Sequence, residues 1–197
     1  MKKVLITGAE GVVGKALQKK LTDFELLLHD YKGRQAFSGD MADVESVEEL
    51  ADSLEPHQPL YALVHTVGAF FEAPLVETTA ADWQGLFQSN VISCLQLVHR
   101  LKPRVLITFG VAGLELPAQK MGAYLAVKNA LMSLTKSLAA QGTFASMICP
   151  GVITGSRHVV PGPEVLPEEV AEKVHEILIG GRFSGEIIDL GKGLRSA

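Results

Sequence analysis

Tyr124 and Lys128 stand four residues apart in the segment GAYLAVKNALM, so both side chains share one face if the segment is helical. Residues at this spacing are about 5–6 Å apart at Cβ, close enough for an ammonium group to favour the phenolate form of a tyrosine. A free phenol has a pKa of ~10, and proton transfer near neutral pH would require a pKa lower by ~2–3 units. The spacing predicts a tyrosine that exchanges a proton with a substrate; an ordinary surface pair on an amphipathic helix is the alternative.

A second candidate feature is the segment LITGAEGVVGKAL, in which Gly8, Gly11 and Gly14 lie where a predicted strand turns into a predicted helix. Glycines at this spacing permit a tight turn, a close approach of the backbone to a pyrophosphate, and close packing of helix on strand. The amino end of the helix offers unpaired N–H groups and the positive end of its dipole to phosphates. The segment predicts a dinucleotide site that includes Glu10 and Val12, and a purely structural turn is the alternative.

Asp30 ends the second predicted strand, at about the ~20-residue distance where dinucleotide sites carry an acidic residue. A carboxylate there accepts hydrogen bonds from the adenosine ribose and repels a 2′-phosphate, so it favours NAD(H) as the cofactor. Lys32 and Arg34 follow closely and can bind a 2′-phosphate instead, so NADP(H) stays open as the alternative.

Short apolar runs alternate with longer helical patterns along the chain. The predicted strands are Lys3–Thr7, Glu25–His29, Gln35–Ser38, Tyr61–His65, Arg104–Phe109, Ala145–Ile148 and Glu186–Leu190. The predicted helices are Val12–Thr22, Val44–Leu54, Ala80–Leu101, Lys120–Gln141 and Glu168–Ile179. This alternation predicts a single α/β domain over residues 1–197, with a doubly wound parallel sheet of about seven strands and helices on both faces. The Pro- and Gly-rich segment 150–167 is predicted to be a loop that leaves room for a lid.

The composition excludes several classes of protein. The chain has 197 residues, of which 47% are apolar and 20% charged, and its formal net charge is −4, so nothing indicates a nucleic-acid-binding surface. The longest apolar stretches are too short for a membrane span, and the start of the chain lacks the apolar region of a secretion signal. Cys94 and Cys149 have the spacing of neither a metal site nor a disulfide framework. We therefore expect a cytoplasmic protein with reduced thiols, no metal, and no membrane or nucleic-acid partner.

With these features together, the chain resembles the short-chain dehydrogenase/reductase family along nearly its whole length. The family's Tyr-x-x-x-Lys pair corresponds to Tyr124 and Lys128, and its glycine-rich turn to the one that begins at Gly8. Further matching segments follow in order: GDMAD with Asp40 and Met41, VHTVGAF with Gly68, QSNVISC with Asn90, and CPGVITG with Pro150, Gly151, Ile153 and Thr154. By resemblance, GDMAD lies near the adenine and CPGVITG against the nicotinamide half of the cofactor. Only the glycine of the family's Asn-Asn-Ala-Gly turn is retained in VHTVGAF.

The resemblance implies a Rossmann-type fold and an oxidoreductase that moves hydride between NAD(P)(H) and a small carbonyl or quinonoid ring substrate. By resemblance, Tyr124 is the general acid/base, Lys128 also binds the nicotinamide ribose, and Asn90 holds a water in a proton relay. The helices predicted over 80–101 and 120–141 correspond to the family's usual dimer face, so the resemblance also implies a homodimer or homotetramer.

The chain departs from the family where the family has a serine after the fifth strand, because this chain has Gly110 in VLITFGVAG. Glycine has no side-chain donor for a substrate carbonyl, and by analogy with oxyanion holes this loss costs ~10²–10³ in rate. Thr108 points to the same side one strand repeat back and is one compensating donor, so both residues are candidate substrate contacts. The other explanation is a substrate that does not need the serine. The quinonoid dihydropteridine reductases, a branch of the family that this chain also resembles, have a small residue there and reduce a conjugated ring.

Two aromatic residues and a short lid complete the candidate site. Phe70 and Phe71 follow the fourth predicted strand at its carboxyl end, where they either form a wall for a planar substrate or pack on the core. The lid before the last helix, from Gly155 to Leu166, is short, and Arg157 and His158 within it are candidate contacts for an anion or a carbonyl group. A contrasting hypothesis is a regulatory module that senses NAD(P)(H) and has lost catalysis, which Gly110 and the altered HTVG segment motivate.

Overall fold

Seven short, largely apolar runs pair as parallel strands to form the central sheet. The computed structural model describes residues 1–114, 119–158, 160 and 162–191. The strands in these ranges are β1 (Lys3–Thr7), β2 (Glu25–Asp30), β3 (Phe37–Ser38), β4 (Ala62–His65), β5 (Val105–Phe109), β6 (Phe144–Cys149), β7 (Val152–Ile153), β8 (Glu164–Val165) and β9 (Ile187–Asp189). The order in the sheet is β3-β2-β1-β4-β5-β6-β9, and every neighbouring pair is parallel. The strands β7 and β8 form a separate parallel pair.

Helices connect the strands and cover both faces of the sheet. They are α1 (Val12–Lys20), α2 (Val44–Leu54), α3 (Ala80–Phe87), α4 (Ser93–Leu101), α5 (Gly122–Ala140) and α6 (Pro167–Gly180). One buried apolar cluster joins α1 and α6 to one face, and a second joins α2, α3, α4 and α5 to the other. Because helices cover both faces, the central strands are continuously apolar rather than alternating.

The strand order reverses at β1, which pairs with β2 on one side and with β4 on the other. In a doubly wound sheet this reversal opens a crevice at the carboxyl ends of the strands, and ligands bind there. The glycine-rich turn follows β1 directly, so the fold places it at the crevice.

The predicted fold class is confirmed, and the predicted bounds of β1 and α2 agree with the structure. Two predictions about elements need correction. The helix predicted over 80–101 changes to a π-helical turn at Gln88–Ile92 between α3 and α4. The segment 150–167, predicted to be a loop, contains β7 and β8, which pair with each other through Val152 and Glu164.

Within the ranges that the structure describes, no helix combines the length and apolar character needed to cross a membrane.

Candidate active site

A cleft of about 570 Å³ lies at the carboxyl ends of β1, β4, β5 and β6. It is lined by the glycine-rich turn at one side and by the first turn of α5 at the other. The two segments are far apart in sequence, and the parallel sheet brings them together because the turn follows β1 and α5 follows β5, whose carboxyl ends lie at the same edge of the sheet on either side of β4. The cleft therefore joins the two features that the sequence singled out for chemistry.

Each glycine of the turn after β1 has a different structural role. Gly8 has a φ of 72°, in the left-handed region that favours glycine. A Cβ at Gly14 would lie 2.4 Å from the carbonyl oxygen of Gly8, so only glycine lets α1 pack this closely on the turn. Gly11 is the N-cap of α1 and supplies no side-chain cap, which leaves the first N–H groups of the helix available at the cleft.

Tyr124 and Lys128 both line the cleft from one face of α5. The Lys128 ammonium lies 5.5 Å from the centre of the Tyr124 ring and donates a hydrogen bond to the carbonyl oxygen of Phe109 at 3.1 Å. Lys128 is only 5% exposed. The pair is therefore not an ordinary surface pair, because the lysine is buried and its charge faces the site.

The protonation of this pair differs from the expectation of an acidic tyrosine. Burial raises the pKa of Tyr124 to about 12 and lowers the pKa of Lys128 to about 8. Removal from water disfavours the charged form of each group and is the largest influence on both pKa values. At neutral pH Tyr124 is a neutral phenol and Lys128 is mainly an ammonium ion.

Asn90 lies in the π-helical turn and is fully buried. Its side-chain amide donates hydrogen bonds to the carbonyl oxygens of Ala69, at 3.1 Å, and Leu86, at 3.0 Å. A Cβ at Gly68 would lie 2.2 Å from Asn90 Oδ1 and 2.9 Å from Lys128 Nζ, so both polar atoms face the same point beside Gly68. This close approach requires glycine at position 68, and among the described residues Asn90 Oδ1 has no hydrogen-bond partner.

The position of the family serine is filled by other side chains. A Cβ at Gly110 would lie 2.6 Å from Cys149 Sγ and 2.9 Å from Met147 Sδ. Thr108 does not compensate for the missing hydroxyl, because its side chain is fully buried and bonds to Thr135 Oγ1 at 2.9 Å. The proposed contact between Thr108 and a substrate is therefore corrected: the side chain points into the layer under α5 and does not line the cleft.

Asp30 ends β2 with its carboxylate almost fully buried and paired with Arg34. Arg34 donates to both carboxylate oxygens, from Nε at 3.0 Å and from Nη2 at 3.2 Å. The Arg34 guanidinium holds the pKa of Asp30 below its usual value, so the carboxylate stays ionised at neutral pH. The acidic residue predicted to favour NAD(H) and the basic residue predicted to bind a 2′-phosphate therefore form one ion pair.

In the structure, the segments that the resemblance places near the adenine and the nicotinamide make local contacts within the protein. Asp40 accepts a hydrogen bond from the backbone of Ala42 at 2.8 Å, and Met41 is buried in the core. Thr154 donates from its hydroxyl to Glu164 Oε1 at 2.9 Å, between β7 and β8. A Cβ at Gly151 would lie 2.1 Å from the carbonyl oxygen of Pro163, so the lid crosses this backbone at close range.

The two consecutive phenylalanines separate into different environments. Phe70 lines the cleft, with its ring centre 5.0 Å from that of Tyr124 and 4.5 Å from that of His158. Phe71 packs against the large core cluster on the α2–α5 face and does not line the cleft. The expectation of a substrate contact from Phe71 is corrected accordingly, because its ring is used in core packing.

The cleft brings together most of the residues that the sequence singled out. Those that line it are Glu10, Gly11, Val12, Gly14, Gly68, Phe70, Gly110, Tyr124, Lys128, Pro150, Gly151 and Ile153. Those that the structure places outside its lining are Gly8, Asp30, Asp40, Met41, Phe71, Asn90, Thr108 and Thr154. The lid also contributes Ser156, Arg157, His158 and Val160. Of these, only Arg157 and His158 were candidates from the sequence, and no local pattern indicates Ser156 or Val160.

Two comparisons of the sequence with known proteins show what the chain is similar to. The sequence model of the family described as enoyl-(acyl carrier protein) reductase matches residues 4–175. The uncharacterized oxidoreductase YvrD of Bacillus subtilis (strain 168) is 25% identical over 187 residues, which cover 82% of this chain and 68% of that protein.

Solved structures show the same fold over nearly the whole chain. A blue fluorescent protein from a metagenomic library, solved in complex with NADPH, has a TM-score of 0.86 at 21% identity and covers 99% of this chain and 98% of its own. A short chain dehydrogenase from Burkholderia cenocepacia J2315, in complex with NADP, has a TM-score of 0.83 at 20% identity and covers 98% of this chain and 97% of its own. Because the family match spans most of the chain, the protein belongs to the short-chain dehydrogenase/reductase family and is an NAD(P)-binding oxidoreductase of that type.

Proposed function

We propose that the protein is an NAD(P)H-dependent reductase of a small carbonyl or quinonoid ring compound, with Tyr124 as the proton donor. The observation that carries this proposal is the single cleft that the glycine-rich turn and the Tyr124–Lys128 pair line together. The alternative, a sensor module without catalysis, is not favoured because the matching family model and the curated relative both describe oxidoreductases.

The residues around the cleft fit a dinucleotide. The amino end of α1 faces the cleft at Gly11, has no acidic residue in its first turn, and can hold a pyrophosphate through its N–H groups. Lys128 lies deeper in the cleft, where it can bind a ribose hydroxyl. A bound nicotinamide dinucleotide would supply the hydride.

Tyr124 and Lys128 divide the remaining chemistry between them. The neutral phenol of Tyr124 can donate its proton to a substrate oxygen or nitrogen that becomes basic as the substrate is reduced. As the proton leaves, the Lys128 ammonium attracts and stabilises the phenolate that remains. Tyr124 carries its proton at neutral pH, as a donor in a reduction must, and because burial raises its pKa to about 12 the phenolate has to be stabilised as it forms. Asn90 Oδ1, which faces the same point as Lys128 Nζ, can hold a water that returns a proton to the pair.

The absent serine restricts the substrate. Gly110 offers no side-chain hydrogen bond to a carbonyl oxygen, and Thr108 is fully buried and bonded elsewhere. A quinonoid ring or an activated carbonyl is reduced more readily than a simple ketone and depends less on such a donor. We therefore propose that the substrate is of this more readily reduced kind.

The proposal is tested by the variant Tyr124→Phe, which removes the phenolic proton and keeps the ring. We expect the rate of carbonyl or quinone reduction to fall by ~10²–10⁴ while the affinity for the reduced cofactor, measured by its fluorescence, changes little. Tyr61→Phe is the matched control, because Tyr61 donates to the carbonyl oxygen of Leu178 away from the cleft. A Tyr124→Phe enzyme that retains the rate of the unmodified protein would reject the assignment of the proton donor.

We further propose that Asp30 makes NADH the favoured cofactor and that Arg34 allows NADPH to bind as well. The buried carboxylate stays ionised at the end of β2, where it opposes a 2′-phosphate. Arg34 is about half exposed and offsets part of this charge. The ion pair thus sets a moderate preference rather than an absolute one.

The variant Arg34→Ala separates the effect of Arg34 on NADPH binding from the effect of Asp30. A hydrogen bond to a charged group contributes about 1.5–3 kcal/mol, so we expect the ratio of NADH to NADPH affinity to rise at least about tenfold. Arg104→Ala removes the same charge from an exposed position at the amino end of β5 and should leave the ratio unchanged. Titration of both reduced cofactors measures the ratio, and an unchanged ratio in Arg34→Ala would remove Arg34 from the preference.

A further inference from the structure

Three aromatic rings follow one another at the mouth of the cleft. The ring of Phe70 meets that of Tyr124 edge-on, at 61° and 5.0 Å between centres, and stacks on the imidazole of His158 at 23° and 4.5 Å. Both contacts have the spacing of ordinary aromatic pairs. One face of Phe70, beside the proposed proton donor, is therefore covered by a side chain of the lid.

Phe70 also contacts residues outside the lid. It packs against a small buried cluster formed by Val111, Met121 and Leu125, and Tyr124 packs against the same cluster. Phe70 therefore has contacts with the body of the protein that do not depend on His158, and Val160 of the lid packs against the same cluster. A flat group lying on the covered face of Phe70 would have a fixed orientation next to Tyr124.

His158 is attached far more loosely. The residue is exposed, and in the described part of the chain its hydrogen bonds consist of a backbone donation to Ser156 Oγ at 3.2 Å. Its imidazole is held on Phe70 by stacking, a contact that another flat ring can replace without leaving a buried polar group unpaired. The imidazole thus has the shape and the position of a small planar ligand and can be displaced.

We propose that a planar, conjugated ring carbonyl compound binds by replacing the imidazole of His158 on the face of Phe70. This inference rests on the proposed reductase function and narrows its substrate class. A ring stacked on Phe70 lies next to Tyr124, so a carbonyl on that ring can receive the Tyr124 proton. An aliphatic carbonyl compound gains nothing from the Phe70 face, so Phe70 is a specificity-determining residue and His158 competes with the substrate.

The test compares a planar and an aliphatic dicarbonyl, 9,10-phenanthrenequinone and 2,3-butanedione, by the consumption of NADH or NADPH. An aromatic stack corresponds to roughly a two- to tenfold change in affinity. We expect Phe70→Leu to raise the KM for the quinone by about this factor and His158→Ala to lower it. The KM for butanedione should change less than about twofold in either variant. His158→Phe places a stronger competitor on Phe70 and should raise the KM for the quinone.

A KM for the quinone that rises in Phe70→Leu and falls in His158→Ala shows that the substrate displaces His158. If His158 instead contacted the substrate directly, His158→Ala would raise this KM. If His158→Ala raises the KM for the quinone or leaves it unchanged, or if Phe70→Leu changes both substrates alike, the proposal is overturned. Phe71→Leu is the matched control, because it removes a ring from the same loop but from the core; its effect should be on stability and not on the ratio of the two KM values.

Failure of the reductase function would be recognised separately. If neither dicarbonyl is reduced with either cofactor, binding of 2-naphthol, a planar ring that cannot be reduced, is measured by saturation-transfer NMR on the whole protein. Weaker binding in Phe70→Leu together with tighter binding in His158→Ala would still support the displacement of His158. Equal binding in both variants and the unmodified protein would overturn it.

Discussion

Gly110 lacks a side chain at the position where the family carries a serine, and the surrounding side chains leave no room for a serine there. The space beside its Cα is occupied by sulfur atoms of Cys149 and Met147, both of which are buried. Burial raises the pKa of the Cys149 thiol to about 12, so it stays neutral and acts as a packing group. The loss of the serine is therefore tied to side chains on the neighbouring strand β6.

This coupling predicts the outcome of Gly110→Ser. The added side chain must displace Cys149 Sγ, and overpacking a buried site typically costs about 1–3 kcal/mol. We expect the unfolding free energy, measured in urea, to fall by about this amount without a gain in reduction rate.

The double variant Gly110→Ser with Cys149→Ala supplies the control. Removing the sulfur gives room to the serine, so the two changes together should destabilise the protein by at least about 1 kcal/mol less than the sum of the single changes. Strictly additive effects would show that the sulfur atom moves aside without cost and that the packing does not exclude serine.

At the level of elements, the sequence predicted the parts that depend on local signals. The run KVLIT of β1 is almost wholly buried, and α2 begins after Asp43, whose carboxylate accepts a hydrogen bond from the Ser46 backbone at 2.8 Å. Both elements have the predicted bounds, because a buried apolar run and a helical pattern are local properties of the sequence.

Elements that depend on distant partners were predicted less well. The strands β7 and β8 have two residues each and pair with each other across the segment 150–167, which no local pattern in the sequence indicates. The π-helical turn at Gln88–Ile92 has no pattern of its own in the sequence. The same limit applies to the site: the spacing of Tyr124 and Lys128 was visible, whereas the stacking of His158 on Phe70 depends on how the lid packs.

Across the whole molecule, a row of polar side chains crosses the sheet close to the cleft. His29, Thr7, His65 and Thr108 are paired in register on four adjacent strands, and all are buried. Paired residues point to the same face, so the row lies under α3, α4 and α5, the side that carries Lys128 and Asn90. Hydrogen bonds offset part of the cost of this burial, such as that between Thr7 Oγ1 and His65 Nδ1 at 3.1 Å.

This row makes the stability of the protein sensitive to acid. Burial lowers the pKa of His65 to about 3, from an ordinary value of 6.5, and burial also lowers the pKa of His29. A histidine whose pKa is lower in the folded state binds more protons when the chain unfolds, so stability falls as the pH drops below the ordinary value. For His65 this loss is ~2 kcal/mol between pH 7 and pH 5.

The variant His65→Asn tests this contribution, because it keeps a polar group opposite Thr7 and removes the titration. Urea unfolding at pH 7 and pH 5 measures how much stability each protein loses on acidification, whatever the absolute stability of the variant. We expect His65→Asn to lose ~2 kcal/mol less than the unmodified protein over this interval, since His29 and the other groups remain in both. His99→Asn, an exposed position on α4, should keep the full loss. Equal losses in His65→Asn and the unmodified protein would mean that His65 gains its proton without unfolding the sheet.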